Sequence, residues 1–295
     1  MAGNFVQLHN HTHYSLLDGA SKVPDLVKRV KELGMPAVGI TDHGNMHGAY
    51  ELWRAAVDSG VKPIIGIEAY VTPETARQDK TRVSWDTNWT PVPGHARNPD
   101  DVSGGGLITH LTMWRRTTKA GQPHQASSVA NLEGRVMRYP RMDKEVLSTY
   151  SKGVIASSGC PSGIIQTRLR LGQFDEALRA AGEFQDIFGK DNFYIELMDH
   201  GLSIESKVTG DLLTIAKKLG APLLATNDSH YVMERTRTPR TPCCASTPAP
   251  RWTTPTASSS KDRDTTSNPP RRCASCSRTI PTPATTRWRS RNAAT

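Results

Sequence analysis

Strand-length apolar runs alternate with a helical pattern at the start of the chain. The runs lie at residues 5–8, 37–41 and 63–67. Between the first two, apolar side chains recur at positions 23, 26, 27, 30 and 33, which is the spacing of one helix face. Near-continuous apolar strands separated by helices are typical of a parallel α/β sheet or barrel.

The rest of the chain continues this α/β rhythm. Ser21 is predicted to cap the first helix and Gly34 to end it. Residues 73–106 are polar, rich in Pro, Asn and Gly, and predict a long loop. The remaining helices are predicted at residues 49–59, 143–150, 174–188 and 204–219, and the remaining strands at residues 107–113, 153–157, 192–197 and 222–226. These elements predict one α/β domain over residues 1–234.

Positive charge is concentrated at the end of the chain. The 295 residues carry a net charge of +9. Residues 235–295 hold 12 Lys and Arg against 2 Asp and Glu, a balance of +10, so residues 1–234 hold 25 and 26, a balance of −1. The nucleic-acid affinity that a basic composition suggests is therefore not expected of the α/β domain.

Residues 235–295 form a basic tail that lacks the side chains of a core. Ile280 is its only Leu, Ile, Val, Met or Phe, and four of the five cysteines of the chain lie in it. Cys273 and Cys276 have metal-ligand spacing, but no second pair or histidine completes a site. This composition predicts disorder, and it is also typical of an out-of-frame translation of a GC-rich gene. We favour the second interpretation, because natural disordered arms seldom carry scattered Cys and Trp.

The sequence gives no sign of membrane insertion or export. It contains no run of 18 or more apolar residues. Its N-terminus lacks the basic-then-apolar pattern of a signal peptide. A cytoplasmic protein without a membrane partner is expected.

Metal-competent side chains lie at or near the ends of the predicted strands. His9 and His11 come first, and they face the same way because side chains alternate along an extended segment. Loops at the carboxyl ends of strands converge on the active sites of α/β barrels and open sheets. Six segments contribute: His9 with His11, Asp42 with His43, Glu68, His110, Cys160, and Asp228 with His230. So many segments predict a metal centre rather than separate polar loop residues.

The donor set indicates the chemistry of this centre. Histidines, carboxylates and one thiolate suit Zn²⁺, and Mn²⁺ or Fe²⁺ also accept them. The set exceeds the needs of one tetrahedral ion, which predicts two or three ions. Such clusters activate water for attack on a phosphoester. The sequence has neither a P-loop nor a Gly-x-Ser-x-Gly motif, so metal-dependent phosphoester hydrolysis is predicted, with Cys160 as a ligand rather than a nucleophile.

Five motifs resemble the polymerase and histidinol phosphatase (PHP) domain. They are His9-Asn10-His11, Thr41-Asp42-His43-Gly44, Gly66-Ile67-Glu68-Ala69-Tyr70, and residues 158–163 and 225–231. Residues 15–20 and 196–201 add a narrower resemblance, to the PHP domain at the N-terminus of bacterial DNA polymerase III alpha subunits. The resemblance covers roughly residues 4–234 and implies a distorted seven-stranded β/α barrel with up to three metal ions.

Carried over by motif, the resemblance implies three sets of ligands. The sets are His9, His11, Glu68 and Asp228; Glu68, His110 and Cys160; and Asp18, His43 and His230. All nine positions keep a competent ligand, which implies a proofreading 3′–5′ exonuclease acting on the primer 3′ end of DNA. Other replisome subunits are the implied partners of a full-length parent. The polymerase catalytic parts of that parent are not matched, so this truncated chain is not expected to synthesise DNA itself.

Two stretches depart from the family pattern. Residues 115–125 replace the start of a helix, and residues after 234 have no family-like sequence. Codons for Ala-Glu-Asn in a GC-rich gene, shifted by one base, can encode Arg-Arg-Thr. We hypothesise a compensated frameshift near 115–125 and an uncompensated one near 235, which an in-frame gene sequence through both places would refute. The disrupted helix adjoins the predicted His110 strand, so the fold is expected to be least secure around His110.

Two other functions remain open from the sequence. One is a stand-alone PHP phosphatase that acts on a small substrate such as histidinol phosphate. The other is a non-catalytic PHP scaffold that stabilises a polymerase, with its metals structural or absent. Residues 158–163 and 196–201 favour the polymerase-type domain over the first of these.

Overall fold

Strands and helices alternate along the chain in the computed structural model. The structure describes residues 5–232 apart from 17, 87, 91–97, 99, 102–105 and 117–121. The strands are β1 (Ala37–Ile40), β2 (Lys62–Val71), β3 (Thr109–Arg115), β4 (Arg135–Val136), β5 (Tyr139–Met142), β6 (Val154–Ser157), β7 (Phe193–Leu197) and β8 (Leu223–Ala225). The helices are α1 (Val23–Glu32), α2 (Ala49–Asp58), α3 (Gln122–Glu133), α4 (Lys144–Thr149), α5 (Ile164–Arg170), α6 (Phe174–Phe188) and α7 (Ser203–Leu219). The predicted α/β class is confirmed.

The strands form one mixed sheet. Their order is β4-β5-β2-β3-β6-β7-β8, and β1 also pairs with β2. Four of the seven strand pairs that the structure describes are parallel, whereas β3 is antiparallel to both β2 and β6, and β4 is antiparallel to β5. The expectation of a parallel sheet is therefore wrong for β3, because apolar periodicity reveals a strand but not its direction.

The N-terminal segment, residues 5–12, lies between the two ends of this sheet. Gln7 pairs with Val38 of β1, and Asn10 pairs with Ser229 just beyond β8. A 2.8 Å backbone hydrogen bond from His11 N to Ser229 O fixes the second contact. Among the described residues, isolated pairs rather than a continuous ladder connect β8 to β1. The described strands therefore form an eight-stranded sheet rather than the seven strands that the resemblance implies, and they do not close into a continuous barrel.

The start of α1 differs from its prediction. Ser21 does not cap the helix, since Lys22 occupies the N-cap position without a side-chain hydrogen bond. Pro24 suits the first turn, where its missing N–H is not needed, and Ser21 instead pairs with Thr12. The predicted end is confirmed, because Gly34 follows the helix with a φ of 66°.

A polar layer crosses the interior side of the sheet. The register places Glu68 opposite Thr112, and Thr112 opposite Ser157. Glu196 of β7 and Thr226 after β8 belong to the same fully buried polar set. The outer side of the sheet instead packs against helices through apolar side chains such as Phe184, Phe193 and Leu212. The main apolar core therefore lies on the helix side of the sheet, while the opposite side carries this polar layer and, towards Trp114 and Ile155, an apolar cavity.

The short β4–β5 hairpin was not predicted from the sequence, and it depends on one buried cation. Arg141 of β5 is fully buried. Its guanidinium donates hydrogen bonds to the backbone carbonyls of Gly134, Leu107, Arg77 and Asp79, at distances from 2.6 to 3.4 Å. These bonds join the hairpin to the loop after β2.

The departing stretch at residues 115–125 is only partly described. β3 ends at Arg115, and α3 begins at Gln122. Ala126 and Ala130 of α3 are buried in the main core, so the chain rejoins the fold as a helix. The predicted tail at residues 235–295 lies outside the described residues.

Candidate metal centre

The side chains of His9 and His11 project from the same side of the N-terminal segment, as side-chain alternation predicts. Both are fully buried, and their ring centroids are 5.4 Å apart. Asp228 Oδ1 lies 3.5 Å from His9 Nε2 and 3.0 Å from His11 Nε2. Asp228 has a φ of 42°, a left-handed conformation that Asp tolerates better than most residues. One donor atom from each of these three residues fits within 4.8 Å of the others.

Glu68 lies at the middle of the cluster and contacts four histidines. Its Oε1 is 3.5 Å from His9 Nε2 and 3.1 Å from His110 Nδ1. Its Oε2 is 3.3 Å from His11 Nε2 and 2.6 Å from His43 Nδ1. The predicted strand end at residue 67 is wrong, because β2 continues to Val71 and Glu68 projects into the interior from within the strand. Two oxygens that each face two imidazoles suit a carboxylate shared between ions.

Asp18, His43 and His230 lie on the open side of the cluster. Asp18 Oδ2 is 3.0 Å from His43 Nε2 and 3.8 Å from His230 Nε2. The ring of His11 packs against those of His43 and His230, with centroid separations of 4.2 and 4.3 Å. The side chains of Asp18 and His43 are 22% and 15% exposed, whereas those of His9 and His11 are 0% exposed. A substrate would therefore enter beside Asp18 and His43.

His110 and Cys160 complete the set of predicted residues. His110 Nδ1 lies 3.5 Å from Cys160 Sγ, and His43, Glu68 and His110 offer a further group of donors within 4.8 Å. His110 lies within β3 near its amino end, so it reaches the cluster from inside a strand rather than from a loop after one. Because β3 is antiparallel, its amino end lies beside the carboxyl ends of its neighbours.

Several donor atoms are buried without a hydrogen bond to any described residue. They are His9 Nε2, His11 Nε2, His43 Nδ1, His230 Nε2 and both Glu68 carboxylate oxygens. Buried polar atoms without partners are costly, which favours an ion among them. Ligands 2.0–2.1 Å from a tetrahedral Zn²⁺ are about 3.3 Å from one another. The separations of 3.1 to 3.5 Å around Glu68 Oε1 are close to that value, so these residues are compatible with metal binding.

Glu196 orients His9, a role that the sequence prediction missed. Its carboxylate lies 2.7 Å from His9 Nδ1 and accepts hydrogen bonds from the hydroxyls of Ser157 and Thr226. A carboxylate on Nδ1 leaves Nε2 of the same ring for a metal. A glutamate within the apolar run at residues 193–197 was the available signal.

Asp42 supports the site without facing it, although it was a candidate from its place after a strand. Its carboxylate accepts hydrogen bonds from Thr12 N, from the Thr12 hydroxyl and from the Ser15 hydroxyl, at 2.7 to 2.8 Å. Ser15 Oγ is in turn 3.0 Å from His11 Nδ1. Asp42 therefore positions His11 through Ser15.

Neighbouring carboxylates raise the pKa of two histidines. Burial lowers the pKa of His9, but Glu196 and Glu68 outweigh burial and raise it to about 9. Burial likewise lowers the pKa of His43, while Glu68 and Asp18 raise it well above its ordinary value. Burial and nearby histidines hold the pKa of His11 well below its ordinary value. At neutral pH the metal-free cluster therefore carries protons on His9 and His43.

Metal binding at pH 7 is expected to release protons, because a ligating imidazole must be neutral. Both raised pKa values lie above the ordinary 6.5. These protons thus stabilise the metal-free fold fully below pH 6.5, and for His9 this stabilisation is lost as the pH rises through about 9. Metal affinity rises over the same window. Calorimetric Zn²⁺ titrations in two buffers of different ionisation enthalpy measure the release; an absence of proton release would contradict ligation by His9 and His43.

Most of the described domain matches a known protein family. The model of the PHP domain family matches residues 7–200. The chain belongs to the PHP domain family. The matched region of this PHP domain contains seven of the nine predicted ligands, and Asp228 and His230 follow it.

The curated relatives of this PHP domain are much longer proteins. DNA polymerase III subunit alpha of Mycobacterium leprae is 50% identical over 231 residues, which cover 78% of this chain and 19% of that protein. The same subunit of Saccharopolyspora erythraea is 53% identical over 229 residues, which cover 77% of this chain and 19% of that protein. The chain thus spans about a fifth of the length of these relatives.

A solved structure adds a more distant likeness. An amidohydrolase from Chromobacterium violaceum has a TM-score of 0.44 and 15% identity, over 77% of this chain and 88% of that chain. Separately, none of the helices in the described part of this PHP domain combines the length and the apolar character that crossing a bilayer requires.

Proposed function

We propose that this PHP domain is the N-terminal part of a DNA polymerase III alpha subunit and acts as a metal-dependent 3′–5′ exonuclease. The observation that carries the proposal is the convergence of four histidines, two fully buried and two half-buried, on the two oxygens of Glu68. The identity of 50% to alpha subunits over 231 residues supports DNA as the substrate. In a full-length parent, the domain would work beside other replisome subunits.

The three predicted ligand sets divide the cluster between ions. His9, His11, Glu68 and Asp228 would hold one Zn²⁺; Glu68, His110 and Cys160 a second; and Asp18, His43 and His230 a third. Mn²⁺ or Fe²⁺ would suit the same donors. Such ions, when bound, supply an activated water and charge stabilisation at a phosphoester. Burial raises the pKa of Glu196, but His9 and the hydroxyls of Ser157 and Thr226 outweigh it and lower that pKa, so the carboxylate would hold the His9 ring in place.

The proposal also covers the two ends of the chain. Residues 1–234 would form the PHP domain, and residues 235–295 would be the product of a shifted reading frame. The frame hypothesis concerns the gene rather than the domain, and the nucleotide sequence around codons 115–125 and 235 tests it independently of any activity.

Loss of metal ligands is expected to abolish nuclease activity. His11→Ala and Asp228→Ala each remove a donor shared by the buried group, so the zinc-loaded variants should degrade primed DNA at least about 100-fold more slowly than the unsubstituted domain. His47→Ala is the matched control, because this exposed histidine lies outside the cluster. Release of 3′-terminal nucleotides from an end-labelled primer measures the rate.

The same assay separates the competing functions. Hydrolysis of histidinol phosphate with no cleavage of DNA would replace the exonuclease by a small-substrate phosphatase. A purified domain that retains no metal in elemental analysis, and is inactive with added Zn²⁺ or Mn²⁺, would identify a scaffold instead.

A further inference from the structure

The β4–β5 hairpin borders the metal centre beside His43. β5 pairs with the end of β2, where Tyr70 lies opposite Arg141. Gly44, the residue after His43, has a φ of 64°, and a Cβ added to it would lie 2.7 Å from the Tyr70 ring and 3.1 Å from Pro140 Cγ. Glycine at this position therefore lets the hairpin approach the open side of the cluster.

A row of aromatic rings leads from the candidate ligands to this hairpin. The Tyr70 ring lies nearly parallel to His43, at an interplanar angle of 14° and a centroid separation of 6.0 Å. It is also 5.4 Å from His110. Tyr139 of β5 meets Tyr70 edge-on at 5.0 Å. Both tyrosines are half-buried, so the row continues beyond the cluster without being sealed in the core.

Arg138 places a positive charge on the outer end of this row. Its guanidinium carbon lies 5.0 Å from the centre of the Tyr139 ring, and its Nη2 donates a 2.9 Å hydrogen bond to the Tyr139 hydroxyl. Arg138 is exposed, and no described carboxylate forms an ion pair with it. Its charge is thus fixed next to an aromatic ring and is available to an anion.

We propose that Tyr139 and Arg138, backed by Tyr70, form a subsite for a nucleotide next to the scissile phosphodiester. Tyr139 would contact the base, and Arg138 would contact a phosphate. This inference rests on the proposed exonuclease function. Aromatic contact with bases combined with a cation for the backbone is the usual means of holding single strands without sequence preference. A small phosphate monoester would not extend to this subsite.

The test compares a DNA strand with a diester too small to reach the hairpin. Tyr139→Ala is expected to raise KM for a single-stranded oligonucleotide about tenfold, since a stacked base contributes about 1–3 kcal/mol. Its kcat/KM for bis(4-nitrophenyl) phosphate should stay within about twofold of the unsubstituted domain. Tyr139→Phe should retain oligonucleotide affinity, because the ring is kept. Trp53→Ala is the aromatic control, since half-exposed Trp53 lies near the first residues of β2, away from the cluster.

Arg138 supplies a second and independent variant. Arg138→Ala should weaken oligonucleotide binding and reduce its dependence on salt, whereas Arg135→Ala, an exposed arginine of the same hairpin, should change neither. Binding is measured by fluorescence anisotropy of a labelled oligothymidylate in EDTA, so this readout does not require cleavage. If Tyr139→Ala disturbs folding, Arg138→Ala decides the question.

The outcomes separate this subsite from the proposed function. If Tyr139→Ala and Arg138→Ala cleave DNA as fast as the unsubstituted domain, the subsite is refuted and the exonuclease function is not. Equal losses on the oligonucleotide and on the small diester also overturn it, since the hairpin would then act on the metal centre. A domain that binds the oligonucleotide through these residues but never cleaves it retains the subsite and refutes the exonuclease.

Discussion

Glu68→Gln is expected to lower kcat/KM for phosphodiester hydrolysis by at least about a thousandfold, which corresponds to about 4 kcal/mol. Each Glu68 oxygen faces two imidazoles, at distances from 2.6 to 3.5 Å. The amide removes the negative charge and replaces one acceptor by a donor that no metal accepts. The same change should remove the rise in Tm that Zn²⁺ causes, because that rise measures binding to the folded state. Elemental analysis gives the metal content directly.

Glu176→Gln provides the matched control for this change. Glu176 is an exposed residue in the first turn of α6, so its amide variant should keep both the metal content and the rate. A Glu68→Gln protein that still binds its full complement of Zn²⁺ would refute the shared-ligand role. Far-ultraviolet circular dichroism of the metal-free variants confirms that both remain folded.

Arg141→Met is expected to destabilise the domain by about 4 kcal/mol, which lowers Tm by about 10 °C for a domain of this size. The substitution keeps an unbranched side chain but removes all four guanidinium hydrogen bonds; among the four carbonyls, Gly134 O keeps its bond from the backbone N–H of residue 141. Burial lowers the pKa of Arg141, yet the group remains charged at neutral pH. Chemical denaturation of the metal-free protein measures the change without a contribution from ligand binding.

Arg135→Met tests whether the effect belongs to burial rather than to the hairpin sequence. Arg135 lies on β4 and is exposed, so its loss should change the unfolding free energy by less than about 0.5 kcal/mol. Equal stabilities of the two variants would show that the carbonyl contacts of Arg141 contribute nothing. Because Arg141 anchors the hairpin that bears Tyr139, its variant should also bind oligonucleotides less tightly.

The elements with a strong local signal were predicted well. α6 spans Phe174–Phe188 as its helical spacing indicates, and α7 and β7 differ from prediction by one residue at their starts. These segments bury one continuous apolar face, so burial and periodicity agree. The histidines His9 and His11 likewise indicated a common site. Side chains two residues apart in an extended segment point to the same face, whatever the rest of the fold.

The missed features depend on tertiary contacts. Residues 135–142 show neither apolar–polar alternation nor a Gly or Asn turn signal. An arginine such as Arg141 is expected at the surface, and its burial is evident only from its carbonyl partners in the fold. Glu196 was visible only as a charge inside an apolar strand, and its partner His9 is 187 residues away. The local sequence predicts neither contact, because the partners come from distant parts of the chain.

The direction of β3 separates the candidate metal centre from residues 115–125, the stretch that departs from the family pattern. His110 stands near one end of this strand and Arg115 at the other, about 17 Å apart at the rise of an extended chain. Residues 115–125, which depart from the family pattern, therefore begin at the end of β3 remote from His110. If the hypothesised compensated frameshift lies at this position, it replaces residues remote from the proposed ligands, and the metal centre is expected to keep its donor set.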